Sequence, residues 1–294
     1  MTLLEDGRAY RLLESLEVFC PLGLRFWDTA LDRPVSDGLR VSARPAQRNG
    51  RRVAAFRTGS GLYAFQNLPG MRPIERPGIA DPIASPPPTR PFIVEVVDPR
   101  RRFLPAALVV DLPLPYRGIF LAGDPASGLP GFLLFSAPSR RRDPRLAVVR
   151  GELYDTVQDR PAAWARIDVE VPGGLTHTTV ADQDGRFAAL FPYPELETTL
   201  PPLSGSPGGD APLFDRTWPL QVRIQADATP FDPLPGGSLP DLARVLLQSP
   251  AEIDLDLGGT TADVWLDELS FDGEVVLRTA GDSRLLIRPG GSSP

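Results

Sequence analysis

The sequence predicts a mainly β protein, with two tandem, related β-sandwich modules followed by a small C-terminal α+β extension. Three observations carry this. Asp28-Thr-Ala-Leu-Asp-Arg-Pro34 recurs as Asp155-Thr-Val-Gln-Asp-Arg-Pro161. Each copy is followed, in the same order, by Gly61-Leu-Tyr-Ala64 or Gly185-Arg-Phe-Ala188, a Pro/Gly-rich stretch, and a strand-like run at Pro91–Val97 or Pro219–Gln225. Colinear similarity in a fixed order marks a duplicated module. The 294 residues include 35 prolines and 27 glycines, which interrupt helices and favour short strands joined by fixed turns. Finally, Gly38–Arg44 and Ala163–Val171 alternate apolar and polar residues, the period of a half-buried strand.

The elements follow in order. Residues 1–21 form an N-terminal segment in which residues 8–19 read as a short amphipathic helix or a strand; periodicity does not choose between them. The first sandwich, residues 22–115, opens with a strand at Leu24–Trp27 that ends in the Asp28–Pro34 loop. Gly38–Arg44 follows, then Arg52–Arg57 and Leu62–Phe65 joined by Thr58-Gly-Ser-Gly61, a hairpin signal. Residues 69–91 are a proline-dense loop centred on Ser85-Pro-Pro-Pro-Thr89, of extended polyproline character. Structureless loops of this length within a domain are uncommon and often functional. Phe92–Val97 and Ala106–Leu112 complete the module. A connector, residues 116–144, carries Gly131–Phe135 and the basic run Arg140–Arg142.

The second sandwich, residues 145–235, repeats the plan. Leu146–Tyr154 leads into the Asp155–Pro161 loop, and Gly174–Val180 and Arg186–Phe191 flank Asp182-Gln-Asp-Gly185. A Pro/Gly-rich loop at 192–219 precedes the strand Trp218–Ala226. Residues 236–294 differ. Ser238–Gln248 reads as a helix capped by Ser238, with Pro240 in its first turn and Leu242, Val245 and Leu246 on one face. Strands at Glu252–Leu257, Asp263–Leu269, Glu274–Arg278 and Leu285–Arg288 end the chain.

Composition narrows function. The net charge of −6 argues against nucleic acid as the main partner, since phosphate binding needs concentrated cations. All 31 basic residues are arginine, which excludes a lysine nucleophile, a Schiff base and a P-loop lysine. The all-arginine usage fits a GC-rich genome or a surface built for bidentate carboxylate contacts. Cys20 is the only cysteine, so no internal disulfide forms, and its apolar neighbours read as a buried thiol. Glu5, Asp6 and Arg8 interrupt any signal-peptide core, and no stretch approaches the ~18 apolar residues of a membrane span. The expected location is cytoplasmic.

Chemical motifs are sparse. His177 is the only histidine, so His or Cys zinc clusters cannot be built; no catalytic, cofactor-binding or metal residue is assigned. Asp182-Gln-Asp-Gly185 partly matches a calcium loop, but reads better as a β-turn in which Asp bonds the local backbone. Asp254 and Asp256 read as the solvated face of an edge strand. The sharpest local feature is the pair of corner loops, Asp28, Asp32, Arg33 and Pro34 with Asp155, Asp159, Arg160 and Pro161. They read as structural, with a reciprocal Asp–Arg contact stiffening each loop and Pro fixing its exit. Arg140, Arg141 and Arg142, like Arg100–Arg102, are either solvated loop charge or a docking patch for an acidic partner. Pro86, Pro87 and Pro88 are the loop residues expected to reach neighbouring subunits.

Arg150-Gly-Glu-Leu-Tyr-Asp155, Pro161–Val171 and Thr179–Phe187 together resemble the carboxypeptidase-regulatory-like, or transthyretin-like, β-sandwich family; residues 22–112 repeat the pattern in looser form. The resemblance implies an Ig-like fold, no catalytic residues, and a role in binding, spacing or display. The order Leu134-Phe-Ser-Ala-Pro138, Val148–Tyr154, Ala162-Ala-Trp-Ala165 and Ala189-Leu-Phe-Pro-Tyr-Pro194 is similar to uncharacterised proteins encoded with contractile injection systems, the phage-tail-like particles of bacteria. That likeness implies a non-enzymatic structural subunit at the baseplate, cap or periphery, in contact with other particle subunits and carried with the particle on release. The alternative is an Ig-like binding module for carbohydrate or protein, which exposed Trp27, Trp164 or Trp218 would support.

Overall fold

The computed structural model describes residues 2–5, 8–11, 19–47, 50–75, 89–112, 119–120, 131–171, 173, 175–194 and 216–290. Of residues 8–19, 8–11 are strand and 12–18 lie outside the described residues: β1 (Thr2–Glu5) and β2 (Arg8–Arg11) pair as an antiparallel hairpin. The first sandwich comprises β3 (Leu22–Leu24), β4 (Phe26–Asp28), β5 (Arg33–Val35), β6 (Arg40–Pro45), β7 (Val53–Ala54), β8 (Phe56–Arg57), β9 (Tyr63–Phe65), a single turn α1 (Arg72–Glu75), β10 (Arg90–Val97), β11 (Ala106–Leu112), β12 (Ile119–Phe120) and β13 (Phe132–Leu134). One face is the sheet β11-β10-β6-β7; the other holds β12-β3-β9-β8 and β13-β4-β5. Phe26, Phe65, Phe92 and Phe132 fill the space between them, each almost wholly buried.

The second sandwich comprises β14 (Leu146–Asp155), β15 (Arg160–Pro161), β16 (Arg166–Val171), β17 (Leu175–Val180), β18 (Arg186–Pro192), β19 (Thr217–Gln225), α2 (Leu242–Val245), β20 (Glu252–Asp254), β21 (Thr261–Ala262), β22 (Trp265–Ser270), β23 (Glu274–Leu277) and β24 (Leu285–Arg288). One sheet runs β22-β19-β16-β17, and the other is built around β14, which pairs with β15, β18, β23 and β24. In β19, Trp218, Leu220, Val222 and Ile224 are buried while their neighbours on either side are not, the alternation of a strand with one wet face.

The two topologies coincide. The sheet β11-β10-β6-β7 matches β22-β19-β16-β17, with antiparallel neighbours in the same order. On the other face, β3 and β4 together occupy the place of the unbroken β14. β12 pairs parallel with β3 as β23 does with β14, and β13 pairs parallel with β4 as β24 does with β14. Duplication therefore extends from the short motif to the whole sandwich.

Three expectations shift. The connector 116–144 supplies β12 and β13 to the first sandwich, and residues 236–294 supply β22, β23 and β24 to the second, so both segments complete sandwiches rather than lie beside them. Ser270–Gly273 is a turn that carries the chain from β22 in one sheet to β23 in the other. The helix expected at 238–248 shrinks to α2. Its cap is Asp241, whose side chain accepts from the Ala243 amide, not Ser238. Asp241 is held in extended conformation by a parallel bridge to Ala107 on the outer strand β11, which shortens the helix and covers a sheet edge. Leu242, Val245 and Leu246 do share a packed face.

The modules meet in two apolar contacts. Ala30 and Leu31, in the loop after β4, pack on Leu146, Val148, Ala188 and Leu190 from the outer side of β14 and β18. Leu104, Phe135 and Ala137 pack on Val180, Val245 and the α2 face.

The β17–β18 turn depends on Gly185. Its φ is +78°, and a side chain there would collide with the Leu153 carbonyl oxygen. Gly185→Ala is expected to destabilise the protein by about 2–4 kcal/mol, as a strained φ is added to a backbone clash; urea unfolding measures this.

Candidate functional site

The repeated corner loops coincide in their bonding. Asp28 and Asp155 end their strands almost fully buried. Asp28 Oδ1 accepts from the amides of Ala30 (3.0 Å) and Leu31 (3.3 Å), and Asp155 Oδ1 from those of Val157 (2.9 Å) and Gln158 (3.0 Å). Each is an Asx turn, which satisfies amides that would otherwise be buried and unpaired. Thr29 and Thr156 donate both hydroxyl and amide to a carbonyl of the parallel strand, Leu134 and Ile287 respectively. Asp32 and Asp159 adopt left-handed φ of 47° and 52°, which Asp tolerates better than most residues. The first accepts from Trp27 Nε1 at 2.9 Å and the second from the Tyr154 hydroxyl at 2.7 Å. Pro34 faces Trp27 and Pro161 faces Tyr154 in the same register.

The expected reciprocal Asp–Arg contact within each loop does not account for their rigidity. Arg160 Nε stands 3.8 Å from Asp155, and its Nη2 donates instead to the Ala228 carbonyl at 3.0 Å. Arg33 makes no ion pair with Asp28; the guanidinium there comes from Arg140, in the connector. Arg140 forks onto Asp28, Nη1 to Oδ1 at 2.9 Å and Nη2 to Oδ2 at 2.7 Å, with both side chains buried. It also donates to Ser136 Oγ and lies 5.0 Å from the Phe103 ring centre. The aromatic before each corner aspartate, Trp27 or Tyr154, is the recurring partner that lengthening the sequence repeat by one residue exposes.

The run Arg140–Arg142 therefore divides. Arg142 is tied to Asp272 (2.7 Å) and to the Tyr193 hydroxyl (3.1 Å), and Arg141 is exposed. Pro86, Pro87 and Pro88 lie outside the described residues, as do 195–215 of the second Pro/Gly-rich loop. Asp98, which sequence reasoning passed over, anchors the other basic run. Its carboxylate accepts from the amides of Arg100 (3.0 Å) and Arg102 (2.9 Å) and from Arg102 Nε (2.8 Å). Burial raises its pKa, but these donors outweigh burial and hold the carboxyl below its ordinary value.

Other candidate groups serve structure. Asp182 Oδ1 accepts from the amides of Asp184 and Arg186 (2.9 Å each), so this loop is the expected turn and its oxygen is engaged by the backbone. Asp254 corrects its reading as a solvated edge residue. It is buried and lies 2.9 Å from Arg288 Nη2, because β20 runs between β24 and β21 rather than at an edge. Asp256 instead caps the following turn through Gly258 and Thr260, and Asp267 accepts from Trp265 Nε1. Cys20 is exposed, not buried, since it precedes β3 and the neighbours that enter the core are Pro21 and Leu22; residual burial keeps its thiol above the ordinary value. His177 stacks on Phe191, and burial holds its imidazole below the ordinary value, with Asp32 opposing in part. Trp218 is a core residue, whereas Trp27 and Trp164 are half-buried. Trp164 and Phe231 line an open pocket of about 300 Å³ together with Gln183 and Asp227.

No family model matches the chain, and no curated protein matches it. Among solved structures it is similar to the shaft pilin spaA from Lactobacillus rhamnosus GG, at 8% identity and a TM-score of 0.24 over 95% of this chain and 100% of that one. It is also similar to the Streptococcal ancillary pilin, at 10% identity and a TM-score of 0.22 over 92% of this chain and 63% of that one. A 9R-lipoxygenase from Cyanothece PCC8801 matches at 13% identity and a TM-score of 0.20, over 47% of this chain and 18% of the lipoxygenase. At these scores the likenesses carry no functional argument, and the sandwich assignment rests on the sheet topology itself.

Removing Arg140 leaves the Asp28 carboxylate buried without its cation, so Arg140→Ala is expected to cost about 3 kcal/mol. Arg141→Ala, an exposed change one residue on, should stay within about 0.5 kcal/mol; denaturant melts of the two compare them directly. Because the folded-state value of Asp98 is depressed, its contribution is present at neutral pH and lost as pH falls through that value, below 3.8. Asp98→Asn should therefore lower stability at pH 7 and flatten the acid limb of a stability–pH curve.

Proposed function

We propose that the chain is a non-enzymatic structural subunit of a multi-subunit protein assembly, and specifically of a contractile, phage-tail-like injection particle. The observation that supports an assembly role is the junction between modules. Two sandwiches of the same topology are joined through two apolar contacts, and the connector between them is fixed to the first by the buried Arg140–Asp28 fork and to the second by Arg150 of β14, which donates to the Arg140 carbonyl. A junction that is both apolar and charge-locked holds the two outer surfaces at one fixed spacing, which suits a strut. The corner carboxylates and most of the paired arginines are bonded to backbone amides and to one another, in roles that fix loops. The particle itself is suggested by the sequence order Leu134–Pro138, Val148–Tyr154, Ala162–Ala165 and Ala189–Pro194.

One observation favours the second reading, a ligand-binding module. Trp164, at φ 63°, is half-buried and lines the pocket together with Phe231, and aromatic faces with polar neighbours suit sugar rings. Burial of Trp218 removes one of the three tryptophans that this reading invoked.

The test is to tag the chain in the cell that encodes it, purify gently, identify stoichiometric partners and image the preparation. Sheath and tube subunits in contractile particles are the expected outcome. A tagged chain that sediments as a monomer beside particles lacking it overturns the reading. Quenching of tryptophan fluorescence by a glycan, abolished in Trp164→Ala, would turn the assignment to the second reading.

A further inference from the structure

The two short basic runs, Arg100–Arg102 and Arg140–Arg142, converge with Arg33 of the first corner loop on one open cleft of about 580 Å³. Among the described residues its lining contains two carboxylates, Asp28 and Asp143, so a chain of net charge −6 carries a strongly cationic recess. The runs lie some forty positions apart in sequence. They are brought together because the Ala137 amide donates to the Arg102 carbonyl at 3.0 Å and the Arg140 amide to the Ala137 carbonyl at 2.9 Å.

The arginines fall into two groups. Arg140, Arg102 and Arg142 are committed to Asp28, Asp98 and Asp272. Arg33, Arg100, Arg101 and Arg141 are exposed and have no ion pair or side-chain hydrogen bond among the described residues. The nearby Asp143 is bidentate with Arg145, Nη2 to Oδ2 at 2.7 Å and Nε to Oδ1 at 3.0 Å, and of the four only Arg33 lies within its electrostatic reach. The free guanidiniums are mounted on fixed backbone: Asp98 pins the amides on either side of Arg101, whose φ is 53°. Fixed mounting lowers the entropy lost when a ligand is clamped.

We propose that this cleft binds an acidic, carboxylate-bearing segment of a partner protein. The guanidinium fork fits a carboxylate, and three lining arginines already hold carboxylates: Arg140 forks onto Asp28, Arg102 holds Asp98 and Arg142 holds Asp272. A nucleic-acid strand fits less well. Its unbroken row of phosphates would meet Asp143 in the lining and the net negative field of the chain, whereas peptide carboxylates are discrete and can lie to either side of that group. The inference deepens the assembly reading and rests on it only for the partner being a protein.

The experiment titrates the intact chain into a fluorescein-labelled hexaglutamate peptide and follows anisotropy at low and raised ionic strength. A labelled hexathymidylate and unlabelled pyrophosphate serve as comparators. The expected result is peptide binding that weakens with salt, exceeds binding of the oligonucleotide, and falls by about tenfold or more in Arg33→Ser/Arg100→Ser/Arg101→Asn/Arg141→Ser. Asn at 101 tolerates the positive φ. The thermal midpoint of this variant should match the wild type; Arg141→Glu alone gives a second, smaller reduction in binding if it does not. Equal binding by wild type and variants, no binding of the peptide, tighter binding of the oligonucleotide, or displacement of the peptide by equimolar pyrophosphate each overturns the proposal. Incorporation into particles is scored separately, so failure of the cleft and failure of the assembly reading give different results.

Discussion

A buried carboxylate at one corner of each sandwich is the constraint from which the rest of the architecture follows. Asp28 and Asp155 lie where a strand must leave its sheet, and there the chain would strand two amides without partners. Each carboxylate collects those amides, and the threonine beside it reaches the parallel strand that closes the sandwich. A corner made this way is specified by four residue types and their neighbours. That is why the motif survives in both copies while the surrounding loops diverge.

The copies differ in the charge and apolarity that reach outward from the same corner. In the first, the loop carries Ala30 and Leu31 into an apolar contact with the second module, and a guanidinium from the connector neutralises the carboxylate. In the second, the corresponding Val157 is 65% exposed and the nearest cation stands off at 3.8 Å. One backbone device thus serves as a joint in one copy and as a surface corner in the other. The side chains between the two aspartates make the difference.

What was legible in the sequence was what repeats locally or alternates. The corner loops, the Thr58–Gly61 and Asp182–Gly185 turns, and the alternation of β6, β16 and β19 are all encoded within a few residues. What was not legible depends on partners far along the chain. Arg140 lies 112 residues from Asp28, and no spacing rule links them. The parallel pairings of β12, β13, β23 and β24 likewise leave no local mark, so these strands read as connector and extension. Asp254 looked solvated because an Asp-x-Asp alternation is the pattern of a wet face; only the position of β24 beside it, with Arg288, puts it inside. The basic runs were visible singly, and their convergence was not.

The parallel closing strands also impose an order on synthesis. β3 and β4 wait for β12 and β13, so the first sandwich can shut once its connector has left the ribosome. β14 must wait for β23 and β24, more than a hundred residues later. The seat of the Ala30–Leu31 knob, on β14 and β18, is made well before then, but the core-facing side of that sheet stays open until β23 and β24 arrive. Non-local pairing of this kind is slow and exposes apolar surface while it lasts. The nascent second half is therefore the stage at which a chaperone, or a neighbouring chain, meets this protein in its most adhesive form.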